Sequence, residues 1–178
     1  MRLLAYCIMS NHWHMVVYPK QDGDLAKFMG WLSNAHTRRW HATKNTTGQG
    51  HLYQGRYKSF LCQQDNHFIT LVRYVERNAK KVGLCDKAQD WRWSSIWRRE
   101  HGDAQARKVL TEWPVQAPHN YLKLVNMDSV GKKYLEEEKI IDVAIKKGNP
   151  FGDDNWVRKI VKKFGLEQTL RGVGRPKK

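Results

Sequence analysis

The run Cys7-Ile8-Met9-Ser10-Asn11-His12-Trp13-His14-Met15-Val16-Val17-Tyr18 constrains the fold of this chain most, because it reads as a β-hairpin that carries two imidazoles. Leu3 to Met9 is apolar and β-prone, Ser10-Asn11 is a turn pair, and Trp13 to Tyr18 resumes the strand pattern until Pro19 and Asp22-Gly23 end it. Side chains two residues apart on a strand share a face, so His12 and His14 can turn toward one ion. For an isolated pair of this kind the plainer reading comes first, in which the imidazoles satisfy hydrogen bonds and bind nothing.

Beyond the hairpin the pattern turns helical. From Asp24, read as an N-cap, Leu25, Phe28, Met29, Leu32 and Ala35 recur at helical spacing and predict a helix to about Thr43. Asn45 to Gly50 is a polar loop, and the mixed aromatic and basic residues of Leu52 to Cys62 predict a strand. A second helix is expected from Asp65 to Val82, with Phe68, Leu71, Val72, Val75 and Ala79 on its apolar side and Gly83 as its stop. Asp90 to Trp97 reads as a packed junction around Ser94-Ser95, and Pro114 and Pro118 mark a linker. Ser129 to Lys147 and Asp153 to Phe164 read as helices, and Gly172 to Lys178 as a basic tail expected to be mobile. The expected organisation is an α/β unit over 1–100, a linker over 101–128 and a helical, basic extension over 129–178.

Charge narrows the partners. The chain of 178 residues has 32 Lys and Arg against 17 Asp and Glu, a formal charge of +15, which favours a polyanion. Eight Trp and seven Tyr sharpen this toward nucleic acid, since aromatic faces stack on unpaired bases while cations hold the phosphates. Cys7, Cys62 and Cys85 are scattered without a C-x-x-C pair, which argues against a disulfide framework and against a thiolate zinc site. The longest apolar stretch, Leu3 to Met9, is too short to span a bilayer, so the expectation is a cytoplasmic protein with no membrane partner.

Asn78 changes the weighing of the histidines. Two imidazoles and a neutral amide oxygen suit a hard divalent ion and leave positions open for phosphate oxygens, which such an ion polarises as a Lewis acid. Tyr74 lies one helical turn before Asn78 and would share its face, which makes it the candidate nucleophile. Attack on phosphorus would give a phosphotyrosine that conserves the energy of the cleaved bond. An ordinary half-buried helix tyrosine has the same spacing, so spacing alone leaves both readings standing.

Four ordered segments carry a resemblance: Ala5 to His14, Gly50 to Lys58, Tyr74 to Leu84, and Trp93-Ser94-Ser95. Together they resemble the single-tyrosine HUH transposases. Asn149-Pro150-Phe151-Gly152, Trp156 and Leu170 to Lys177 make the likeness closest to the REP-associated tyrosine transposases. The resemblance implies a ferredoxin-like α/β core with an antiparallel sheet, in a catalytic unit over 1–100. It also implies nicking of single-stranded DNA at or near imperfect hairpins, leaving a 5′-phosphotyrosine and a free 3′-hydroxyl. On this reading Tyr74 is the nucleophile, and His12, His14 and Asn78 hold Mg2+ or Mn2+, with Asn78 where relatives often have glutamine. Arg38, Arg39, Arg56, Lys58, Arg171 and Arg175 are the candidate DNA contacts, and the protein is expected to act as a monomer or homodimer.

The sequence departs from the family in one respect. The β-α-β-β-α-β order puts a strand and a helix before the histidine hairpin, whereas this sequence starts at Met1-Arg2-Leu3, inside the second strand. The expectation is therefore an unpaired sheet edge and an exposed apolar face. An internal methionine taken as a start or a truncated gene is favoured over a sheet completed by another chain. The alternative function is then a catalytically impaired remnant that only binds DNA; a replication-initiator type nickase fits less well.

Overall fold

The computed structural model of the chain describes residues 1–127 and 132–171. Two strands open it, β1 (Arg2–Ile8) and β2 (Trp13–Tyr18), followed by α1 (Asp24–Lys44) and α2 (Asn66–Lys81). Then come α3 (Ser95–His101), α4 (Ala104–Arg107), α5 (Tyr121–Asn126), α6 (Lys132–Lys147) and α7 (Asp154–Phe164). The class is mixed α/β, with β1 and β2 forming a two-stranded antiparallel sheet among the described residues.

The hairpin closes through Met9 N–H to His12 C=O at 2.9 Å, which leaves Ser10 and Asn11 at its tip. Its register pairs Cys7 with His14 and Ile8 with Trp13, and an irregularity between Leu3 and Ala5 shifts the far end by one residue. The α2 helix lies on this sheet because its apolar residues repeat every three to four positions. Phe68, Leu71, Val72, Val75 and Ala79 are all buried, and they pack with Leu4, Ala5, Cys7 and Val16 of the sheet and with Ile141 and Phe151. Each large member of that set contributes about 2 kcal/mol on burial. Asp65 starts the helix by accepting from His67 N–H, and Gly83 ends it at φ 74°. The closing bonds run from Gly83 N–H to Lys80 C=O and from Leu84 N–H to Ala79 C=O, the pattern a left-handed glycine permits.

The outward edge of β1 is covered, contrary to the expected unpaired strand. Residues 91–113 run along it and supply donors and acceptors one by one. Trp91 Nε1 donates to Ile8 C=O at 2.9 Å, and Ile8 N–H donates to Trp93 C=O at 2.9 Å. Tyr6 N–H donates to Ser95 Oγ at 2.8 Å, Trp113 Nε1 to Leu4 C=O at 3.0 Å, and Thr111 N–H to Leu3 C=O at 2.8 Å. Leu4, Ala5, Tyr6 and Cys7 are consecutive and all buried, so both faces of the strand are packed.

Two local expectations are corrected. Leu52 to Cys62 is irregular, and its sheet-like link is a single parallel bridge from Cys62 to Phe151. Its aromatic residues pack a loop instead: Tyr53 meets Trp13 at 6.5 Å and His36 at 5.7 Å between ring centres. The N-cap of α1 is Gly23, and Asp24 instead sits in the first turn, where Oδ2 accepts from Lys20 N–H at 3.0 Å and Gln21 N–H at 3.2 Å. The stretch 101–128 carries α4 and α5, with Val125 fully buried and Trp113 and Tyr121 packed against the core. Of the helix expected over Ser129 to Lys147, residues 129–131 lie outside the described residues. No helix among the described residues is long and apolar enough to cross a membrane.

Candidate active site

The sheet and α2 bring the histidine pair to the tyrosine. His12 sits exposed in the turn before β2, and His14 is the second residue of that strand, half-buried opposite Cys7. The two rings stand edge to face with centres 5.0 Å apart. His14 in turn stands edge to face with Tyr74, at 5.8 Å. Because Phe68, Leu71, Val72, Val75 and Ala79 fix the rotation of α2 on the sheet, Tyr74 and Asn78 share a flank of the helix one turn apart.

Local hydrogen bonds set the chemical state of these groups. His12 Nδ1 lies 2.7 Å from Asn11 Oδ1, so with the amide oxygen as acceptor Nδ1 carries the proton and Nε2 keeps its lone pair. Burial, and after it the neighbouring His12, push the His14 imidazole down to about 4, which keeps it neutral and able to ligate at pH 7. The Tyr74 phenol is pushed well above its ordinary value, first by burial and then by the hydrogen bond and charge of Asp142; a hydrogen bond with Asn78 opposes the shift.

Asp142 is a partner of the candidate site that sequence reading missed. It comes from α6, and Tyr74 Oη donates to its Oδ1 at 2.8 Å across 68 positions of sequence. The same helix face carries Glu137, 2.8 Å from Arg73, and Glu138, 3.1 Å from Arg77 and 3.0 Å from Lys81. Lys81 also lies over the Tyr74 ring, its Nζ 5.4 Å from the centre. A signal was present: Arg73, Arg77 and Lys81 repeat every four residues on α2, and α6 bears Glu136, Glu137, Glu138 and Asp142 within two turns.

No group of three or more His, Cys, Asp or Glu side chains among the described residues is arranged to hold a metal ion. The donors that do approach one another are two imidazoles, with the amide of Asn78 joined to them through Tyr74. Metal–imidazole bonds are about 2 Å long, so rings whose centres are 5.0 Å apart are within reach of one ion. With a neutral His14, an open Nε2 on His12 and a buried amide oxygen, the donor set fits a hard divalent ion that also takes phosphate oxygens.

The candidate DNA contacts come from separate stretches of the chain. Arg38 and Arg39 are exposed on the last turns of α1, Arg56 and Lys58 are exposed in the irregular segment, and Arg171 is exposed after a short 3₁₀ turn. Arg175 lies outside the described residues. Residues 25–64 contain no Asp or Glu, and their Lys and Arg form no ion pair among the described residues. Trp31 and Trp40 are exposed on α1, and Lys44 lies over the Trp40 ring at 5.6 Å.

Residues 1–78, a segment that contains His12, His14, Tyr74 and Asn78, match the family model described as Transposase IS200 like. Over this segment the chain is similar to the IS200-like transposases. A curated protein of Haemophilus influenzae with the provisional name REP-associated tyrosine transposase is 23% identical over 118 residues, 62% of this chain. The match spans 65% of the length of that relative. No solved structure matches the chain.

Proposed function

We propose that this chain is a divalent-metal-dependent strand transferase that acts on single-stranded DNA carrying hairpins, with Tyr74 as its nucleophile. The observation that supports the reading is the convergence of Tyr74 on His14, and through it on His12, in a segment that matches IS200-like transposases. His12, His14 and Asn78 hold magnesium or manganese, which when bound polarises the phosphate oxygens. Tyr74 Oη attacks phosphorus, the bond to the 3′ oxygen breaks, and the strand remains joined through its 5′ phosphate to the tyrosine. A strand end with a free 3′ hydroxyl reverses the step without a nucleotide cofactor.

The surroundings serve the same reading. Arg38, Arg39, Arg56 and Lys58, from a stretch of sequence without acids, track phosphates, and exposed Trp31 and Trp40 offer faces for unpaired bases. Arg171, and Arg175 by its place in the sequence, are further phosphate contacts from the extension over 129–178, while the unit over 1–100 carries the catalytic His12, His14, Tyr74 and Asn78. The protein works in the cytoplasm as a monomer or homodimer.

The test is to incubate the protein with single-stranded DNA containing an imperfect hairpin, with magnesium or manganese. A covalent protein–DNA adduct is expected that is lost in Tyr74→Phe and in His12→Ala. An adduct that survives Tyr74→Phe would reassign the nucleophile. Salt-sensitive binding with no adduct under any of these conditions would make the chain a DNA-binding protein without turnover.

A further inference from the structure

A phenol is a poor nucleophile at neutral pH unless its proton has somewhere to go. We propose that Asp142, carried by α6, is the group that takes the phenolic proton as Tyr74 attacks phosphorus. The proposal rests on the reading of Tyr74 as nucleophile and adds a catalytic group from outside the segment matched by the family model.

Geometry assigns the role. Asp142 Oδ1 accepts from Tyr74 Oη at 2.8 Å, within the range over which a general base abstracts a proton. The neighbouring carboxylates are committed elsewhere: Glu138 bridges Arg77 and Lys81, and Glu137 pairs with Arg73. Those ion pairs register α6 against α2, so that Asp142, one turn beyond Glu138, arrives at the phenol. Lys81 over the ring favours the negative charge that develops there. As the Tyr74 Oη–phosphorus bond forms, the phenolic proton moves to Asp142 Oδ1 and the phosphorus–3′ oxygen bond breaks. The departing 3′ oxygen takes a proton from water, and Asp142 returns its own to the hydroxide so formed.

Asp142→Asn keeps the shape and an oxygen acceptor for the Tyr74 hydroxyl but cannot carry a proton at neutral pH. Adduct formation on hairpin DNA is expected to slow by about 10²- to 10⁴-fold. Hairpin affinity measured without metal and the thermal unfolding midpoint are expected to stay at wild-type values. Fluorotyrosine incorporated at position 74, whose phenol is more acidic, should recover part of the rate in Asp142→Asn, and Asp142→Glu should retain more activity than Asp142→Asn. Wild-type rates in Asp142→Asn would overturn the proposal. So would a slow Asp142→Asn that fluorotyrosine does not help, or one that has lost DNA affinity or unfolded while Asp142→Glu is no better, since Asp142 would then be positioning α6 alone. Failure of the wild type itself to form a Tyr74-dependent adduct would overturn the function proposed for the chain, and with it this role.

Discussion

Residue chemistry separates what one side chain declares from what needs a partner. The proximity of His12, His14 and Tyr74 is foreshadowed by the hairpin and by the helical spacing of Tyr74 and Asn78, whereas their roles are what the resemblance implies. Asp142 is not foreshadowed, since its meaning comes from a hydrogen bond 68 positions away. Glu76 is a second group whose role only the fold reveals. It is fully buried, with Ser95 Oγ at 2.5 Å, Tyr121 Oη donating at 2.7 Å and Arg99 Nη1 at 3.6 Å. Ser95 has one hydroxyl proton for two acceptors, Tyr6 C=O and Glu76, and a protonated Glu76 resolves the conflict. Burial raises its carboxyl above the ordinary 4.5, opposed by Ser95, Tyr121 and Arg99. The folded state therefore keeps a proton that the unfolded chain gives up, so this contribution to stability is full below the ordinary value and is lost as pH rises through the raised one. Glu76→Gln cannot ionise. Urea unfolding is expected to show its stability rising relative to wild type between pH 4 and pH 8; a difference that does not change with pH would contradict this assignment.

Secondary-structure elements were legible wherever periodicity alone decides them. The hairpin strands, α2 and α7 fall within about two residues of the bounds the pattern predicts, because turn residues and an apolar stripe fix each end locally. Leu52 to Cys62 misled because aromatic residues mark strands and also packed loops, and Tyr53 uses its ring against Trp13 and His36. The cover on β1 was invisible for another reason: Trp91, Ser95, Thr111 and Trp113 reach the strand across roughly a hundred residues, which no local pattern encodes. Trp113 ties that cover to the core. Its ring meets Tyr121 at 4.9 Å and Phe68 at 5.8 Å, and its Nε1 donates to Leu4 C=O. Trp113→Ala is expected to cost about 3 kcal/mol in chemical denaturation, with faster amide exchange at Tyr6 and Ile8. Unchanged exchange at both amides would mean that the cover does not protect the strand. Asp153→Ala should fray the start of α7, read as faster amide exchange at Trp156, since Oδ1 caps the helix through Trp156 N–H and Oδ2 accepts from Gln63 Nε2.

At the scale of the whole molecule, the proposed function makes a charge of +15 and a stretch of forty residues without an acid the features that meet DNA. Phosphate contacts release counterions, so affinity for a single strand falls with salt at a slope of about 0.7 per contact. Arg38→Ala and Arg39→Ala should each reduce that slope by about this amount and weaken different DNA sequences alike. Slopes equal to wild type in a salt titration would remove α1 from the interface. The proposed site draws on distant parts of the chain: a hairpin presents the imidazoles, α2 the proposed nucleophile, and α6 the carboxylate hydrogen-bonded to it. Mass spectrometry of protease digests, after reaction with hairpin DNA and manganese, tests this most directly. The account predicts a nucleotide joined through a 5′ phosphate to the peptide containing Tyr74. A nucleotide on another residue, or strand cleavage that leaves no linked peptide, would contradict it.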